Sequence, residues 1–359
     1  MLHQIVCFGL VALMGAGAAQ TAVQANDTTD AVAATLRAGQ YEGITAGMLS
    51  VDGRLLFEAY APGYAADDRH DIRSATKSIT ALLVGELLED KSLKSVKAKV
   101  ADILPDEFAM IPKDSPKHDI TVEDLLTMRS GLACNDWVPA SVGHEDKMYK
   151  TRDWTAFLLG QPMAYEGGKH FSYCTGGVVL LGRVIQKLSG RDVPAFAQDR
   201  LFGPLGIKGA KWESTPKGYT DTGGHLRLSL RDLYKIGLLV AGNGMVPGIS
   251  SDGTDVAQTS QIVAQKWLRN ATREHTTIDG RRERYGYLWW LDSGEVKGKP
   301  VSLIYAHGNG GTFVFIVPEL KLVAAFTGKN YGKHSQFIPL QVFTREIVPS
   351  LVGAAKAPE

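Results

Sequence analysis

The chain has 359 residues, 44% of them hydrophobic and 21% charged, with a formal net charge of +1. That composition suits a globular protein with room for one large domain or two interleaved ones. The near-balance of charge excludes the basic excess that marks a nucleic-acid binder, and no internal repeat or low-complexity segment is present.

The first stretch, "MLHQIVCFGLVALMGAGAAQTAVQAN", is apolar from Ile5 to about Ala19 and then turns to small residues. Val23-Gln24-Ala25 fits the small-x-small cleavage pattern, so residues 1–25 are expected to be a cleaved signal peptide and 26–359 a single exported domain, periplasmic or secreted. The apolar run is shorter than the roughly 20 residues a spanning helix needs, which argues against an anchor. Only the α-amine and His3 supply positive charge before it. Cys7 would leave with the peptide, and Cys134 and Cys174 would remain. No Cys/His cluster has zinc spacing and there is no His-Glu-x-x-His, so neither a metal nor a cofactor is expected.

A short amphipathic helix near Ala31 to Arg37 comes first, and "ITAGMLSVDGRLLFEAYA" then reads as a hairpin about Asp52-Gly53, a strong tight-turn signal. From Ser74 to about Gly244 the pattern is helical. Thr121, with Asp124 three residues on, caps "VEDLLTM"; "TGGVVLLGRVIQKLSG" and "SLRDLYKIGLLVAG" are helices stopped by glycine. After a helix around Gln261 to Asn270 the chain returns to strands: "RYGYLWWLD", "VSLIYAH", "GTFVFIVP" and "KLVAAFTG". A last helix covers roughly Gln336 to Leu351. Strands at both ends and helices between them predict an α+β fold. One antiparallel sheet would be built from about 28–73 and 275–355, with an inserted helical lobe over about 74–274 and a site at the seam.

Ser74-Ala75-Thr76-Lys77 opens a run that is apolar nearly all round, through Ile79, Leu82, Leu83 and Leu87. Such a helix is expected to be central and buried. Residues three apart share a helix face, which brings a lysine amine within reach of a serine hydroxyl. A buried Lys77 should have its pKa pushed down toward the range of a working base. A second copy of the pattern, Ser214-Thr215-Pro216-Lys217, carries a proline that disrupts a helix interior and is followed by no apolar periodicity. Read blandly, Ser74 would cap its helix and Lys77 would sit in solvent.

Two more stretches complete a pattern. "FSYCTGG" sets Tyr173 before a glycine pair that opens a helix, and "YAHGNGGTFVFIVPELKLVAAFTG" sets His307 and a glycine cluster on a strand leading into a hairpin. Ser-x-x-Lys, then Tyr-x-(Asn/Ser/Thr) about a hundred residues later, then a glycine-rich strand, resembles the serine β-lactamase and penicillin-binding-protein superfamily. The likeness runs from about Ala31 to Leu351 and is closest to the class C β-lactamase-related branch, with its carboxylesterases, D-amino-acid amidases and 6-aminohexanoate-dimer hydrolases. It extends to "VEDLLTMRSGL" and "YGYLWWL", segments that border the site in that family.

The resemblance implies an acyl-enzyme on Ser74, with Lys77 and Tyr173 sharing the base role. It implies an oxyanion hole from the Ser74 N–H and the turn Asn309, Gly310, Gly311. Two positions depart from the family. Thr175 replaces an asparagine that contacts lysine and substrate, unless it only caps the next helix. His307, largely neutral at pH 7, replaces the lysine that meets a β-lactam carboxylate. Trp289 and Trp290 alternate on a strand, so only one can face the cleft; Trp289 is assigned there. The implied substrate is a small ester or amide, with no nucleic-acid or metal partner, and the oligomeric state stays open. The alternatives are a β-lactamase or D-amino-acid peptidase, and a catalytically silent binding or sensor protein on the same fold. An α/β-hydrolase is excluded by the absence of Gly-x-Ser-x-Gly. In the family the segments of Cys134 and Cys174 meet beside the nucleophile, so a disulfide between them is expected in an exported chain.

Overall fold

The computed structural model describes residues 25–249 and 255–352; the proposed signal peptide and Cys7 lie outside them. An eight-stranded antiparallel sheet forms from both ends of the chain. Its strands are β1 (Ile44–Val51), β2 (Arg54–Tyr60), β3 (Thr276–Thr277), β4 (Arg284–Tyr285), β5 (Trp290–Val296), β6 (Lys299–Gly308), β7 (Thr312–Val317) and β8 (Leu322–Gly328), in spatial order β2-β1-β8-β7-β6-β5-β4-β3. The β1–β2 hairpin turns at Asp52 and Gly53, both at positive φ (49° and 75°), as a two-residue loop requires.

The central strands β1, β7 and β8 are buried along their whole length. That explains their unbroken apolar runs: both faces are covered, so no polar alternation is needed. α1 (Asp27–Arg37) and the C-terminal helix lie on one face, where Phe343 stacks on Phe315 of β7 at 4.2 Å. The other face carries a helix at Leu230–Ala241, whose N-terminus Ser229 caps through the Asp232 N–H.

Two helices fill the centre of the inserted lobe. α2 (Thr76–Glu89) is buried from Thr76 to Leu87, and α3 (Thr175–Ser189) packs beside it and ends on Gly190 in the left-handed conformation. Thr121 and Asp124 form the anticipated capping box on Val122–Leu126. A small sheet of His70–Asp71, Leu226–Leu228 and Lys211–Trp212 ties the strand entering α2 to the far end of the lobe.

The stretch "RYGYLWWLD" is two strands rather than one. Leu288 has φ +58°, its N–H donates to Leu126 O (3.0 Å) and its carbonyl accepts from Ser78 Oγ (2.6 Å). The break fastens the sheet to the helical lobe beside α2.

Candidate active site

Ser74 stands in a single turn of 3-10 helix, Arg73–Ala75, that runs into α2. Arg73, immediately before it, has φ +49°, a region that costs a non-glycine residue energy and clusters at functional sites. Strand β6 passes directly beneath this turn. A Cβ on Gly308 would fall 2.0 Å from Ile72 O, so only glycine lets the strand come so close. At the end of β6, Gly310 and Gly311 turn with φ +105° and +102°, and Asn309 Oδ1 accepts from the Gly332 N–H at 2.8 Å. The Gly311 N–H donates to Gly308 O (3.3 Å). The Asn330 N–H donates to Gly310 O at 2.9 Å, and the two residues form an isolated antiparallel bridge.

The helix phase does what the spacing implies. Lys77 Nζ donates to Ser74 Oγ at 2.9 Å and to Gly223 O at 2.7 Å, with the side chain only 1% exposed. Tyr173 completes the group: its ring lies 5.2 Å from Lys77 Nζ, and Ser74 is among the neighbours that act on its phenol. The expectation of a depressed Lys77 is corrected here. Burial does work against the ammonium, but Tyr173, Glu145, Asp136 and Asp221 outweigh it and hold Lys77 above the ordinary lysine range. Burial also raises the Tyr173 phenol, and the Lys77 charge offsets only part of that rise.

The acidic groups around Lys77 were invisible as a motif. Asp136 Oδ2 accepts from the Thr175 N–H (2.6 Å) and its Oδ1 from the Glu145 N–H (2.9 Å). Glu145 Oε2 accepts from Thr175 Oγ1 (2.7 Å) and Tyr149 Oη (3.1 Å). Burial, helped by Glu145, lifts Asp136 to about 6. Thr175 is therefore fully buried against carboxylates rather than presented to substrate, and the helix begins after Cys174, so Thr175 is not its cap. Cys134 and Cys174 are bonded, with Cα atoms 5.4 Å apart. This crosslink sets Asp136 beside Thr175 just beyond it, the one feature from which the acidic pair could have been anticipated.

The aromatic assignment also changes. Trp289 is fully buried in the core, while Trp290 lines a cleft of about 310 Å³ with Trp137, Tyr305 and His307. Trp137, 41% exposed, stacks on Tyr173 (5.4 Å) and on Trp290 (6.0 Å). The cause is the left-handed Leu288, which resets the strand phase just before the pair. His307 stacks on Phe313 at 4.4 Å, and burial together with Arg281 brings its pKa down to about 4. Among the described residues no group of three His, Cys, Asp or Glu side chains could hold a metal ion.

An antiparallel sheet joined to a helical lobe, with serine, lysine and tyrosine meeting at the seam, is the fold of the β-lactamases and penicillin-binding proteins. The Beta-lactamase family profile matches residues 29–336, and the chain belongs to that family. It is 24% identical over 275 residues to a 6-aminohexanoate-dimer hydrolase of Paenarthrobacter ureafaciens, covering 71% of this chain and 65% of that one. Of two further curated relatives it spans about a third of the length. Among solved structures, a class C β-lactamase from Rhodobacter sphaeroides superimposes with TM-score 0.64 at 16% identity, covering 91% of this chain and all of the other. EstCE1, a hydrolase with promiscuous acyltransferase activity, gives TM-score 0.68 at 14% identity over 88% and 96% of the two chains.

Proposed function

We propose that this chain is an exported serine hydrolase that cleaves a small ester or amide through an acyl-enzyme on Ser74. The observation that carries the reading is the 2.9 Å bond between Lys77 Nζ and Ser74 Oγ, at the start of a buried helix with the Tyr173 ring against the lysine. A lysine held as the ammonium cannot take the serine proton. The base is then Tyr173 in its phenolate form, which the adjacent ammonium favours but burial keeps a minority at pH 7. Ser74 Oγ bonds to the carbonyl carbon as its proton passes to Tyr173, and the tetrahedral oxygen is met by the Ser74 N–H and one N–H of the Asn309–Gly311 turn. Collapse breaks the bond to the leaving group, which takes the proton back from Tyr173. Water repeats the sequence on the acyl-enzyme and frees Ser74. Retention of all three groups speaks against a silent binding protein.

His307 is neutral at pH 7, and Arg281, the cation lining the cleft, is paired with Glu283 at 3.3 Å. Neither offers a free positive charge to a β-lactam carboxylate. A lost charge-assisted hydrogen bond costs about 1.5–3 kcal/mol, roughly tenfold or more in kcat/KM. Comparing p-nitrophenyl butyrate with nitrocefin tests this: the ester should be the better substrate, and a higher kcat/KM for nitrocefin would make the protein a β-lactamase. Export rests on the N-terminal pattern and on the compatibility of the Cys134–Cys174 bond with an oxidising compartment. Sequencing the mature N-terminus from a cell fraction tests it, with Asn26 expected first and an uncleaved cytoplasmic chain the contrary result.

A further inference from the structure

Beside the nucleophile lies a second charged chain, of which the account above uses only Asp221, as a partner of Lys77. Asp71 Oδ1 accepts the Arg73 N–H at 2.9 Å, and Asp71 Oδ2 lies 3.1 Å from Arg73 Nε. Arg73 Nη1 meets His225 Nε2 at 2.8 Å, and His225 Nδ1 meets Asp221 Oδ2 at 2.6 Å. Asp221 is 1% exposed, and its Oδ1 accepts the Gly223 N–H at 3.1 Å. Gly223 is the residue whose carbonyl holds Lys77 (2.7 Å). Arg73 and His225, 152 positions apart in sequence, are brought together by the small sheet: Ile72 N–H donates to Leu226 O (2.9 Å), and Asp71 pairs with Arg227. Both ends of the bridge are strained, with Arg73 at φ +49° and His225 at φ +55°. One short loop, 221–225, therefore fixes both the residue before the nucleophile and the amine beside it.

We propose that His225 is a positioning residue: as the neutral Nδ1–H tautomer it joins Asp221 to Arg73 and so sets the nucleophile turn against the lysine loop. This rests on the serine hydrolase reading and adds to it a residue outside the reacting groups. Chemistry fixes the tautomer. A guanidinium only donates, so Nε2 must accept, and the proton must lie on Nδ1 facing the carboxylate. Protonation would turn Nε2 into a donor against a donor and release Arg73. The groups facing the ring are Asp221, Arg73, Asp71 and, edge-on at 5.9 Å, Tyr149. The hydrogen bond to Asp221 leads in raising His225 above the ordinary histidine value. The arm should therefore open as pH falls through neutrality, and turnover should fall with it.

The test begins with wild-type protein and needs no turnover. Nitrogen-detected histidine NMR at pH 8.5 should show His225 as the neutral Nδ1–H tautomer; an Nε2–H tautomer or an imidazolium there would overturn the proposal. Activity follows with a p-nitrophenyl ester, whose hydrolysis by wild type tests the hydrolase reading separately. His225→Leu should lower kcat on the order of tenfold or more with KM changed less than about twofold, since it breaks a charge-assisted contact outside the cleft. His225→Gln can accept from Arg73 and donate to Asp221 without titrating. It should recover most of that loss and make the decline of kcat between about pH 8 and 6 shallower than in wild type, leaving only the part that belongs to Tyr173. Equal losses in the two variants, or the same acid decline in wild type and His225→Gln, would contradict a positioning role.

Discussion

In Ser74-Ala75-Thr76-Lys77 the lysine is buried, 2.9 Å from its serine, with a carbonyl and three carboxylates to compensate the ammonium. In Ser214-Thr215-Pro216-Lys217 the serine is exposed, and Lys217 turns away to pair with Asp153 at 2.5 Å, with its side chain 45% exposed. The spacing is the same and the helix is not. Pro216 cannot sit in a helix interior, and the segment folds instead as a turn closed by Thr215 N–H to Tyr219 O (2.6 Å). The comparison teaches that Ser-x-x-Lys carries chemistry only where the residues after it bury the lysine and the rest of the chain supplies partners for its charge.

The largest expected difference between the two copies is in turnover. Ser74→Ala and Lys77→Ala should each cut kcat/KM by about ten-thousandfold, because nucleophile and proton carriers act as a unit. Ser214→Ala and Lys217→Ala should change it less than about twofold, since an exposed ion pair contributes little. Ester kinetics on the four folded variants settle the matter, and comparable losses at both copies would break the contrast.

Next in size is the crosslink that holds Tyr173 beside the first copy and has no equivalent at the second. Closing a loop of 40 residues should stabilise by about 4 kcal/mol, less any strain. Reduction should thus lower Tm by roughly 5–10 °C and reduce activity with it. Unchanged activity in the reduced, still folded protein would separate the disulfide from the site.

The acidic surroundings of Lys77 sharpen the comparison through pH. With Tyr173 as base, kcat/KM should rise with pH above neutrality as the phenol ionises. Glu145 raises both Lys77 and Tyr173. Glu145→Gln should therefore move the rising limb to lower pH, by about half a unit or more. A shift to higher pH would show that Glu145 does not act on these groups through its charge. A smaller effect belongs to His307. Its pKa falls from an ordinary 6.5 to about 4 on folding, so its contribution is full above 6.5 and is lost as pH falls toward 4. That loss amounts to at most about 3 kcal/mol. Chemical denaturation of wild type and His307→Gln between pH 7 and 4 measures it, and parallel curves would show no linkage.

Much of this was legible because local rules and tertiary demand agree. The buried helix after Ser74, the capping box at Thr121, the hairpin at Asp52-Gly53 and the Cys134–Cys174 bond all follow from short-range pattern or from the family likeness. The failures share a different origin. Trp289 was assigned to the cleft in place of Trp290 because one left-handed residue, Leu288, resets the strand phase, and leucine gives no warning of it. The direction of the Lys77 shift was misjudged because its partners lie far off in sequence: Asp136, Glu145 and Asp221 converge only when α2, α3 and two loops are packed. Thr175 was read against the asparagine it replaces, whereas the fold uses its hydroxyl to satisfy a buried carboxylate. Arg73 and His225 joined no motif at all; only the small sheet brings them together.

The most direct test of the account is to locate the acyl group. The protein, trapped with a fluorophosphonate or an acylating inhibitor and analysed by intact-mass and peptide mass spectrometry, should carry one adduct, on Ser74. The adduct should be absent from Ser74→Ala and strongly slowed in Lys77→Ala. An adduct on Ser214, or no covalent adduct in a folded protein that turns over esters, would contradict it.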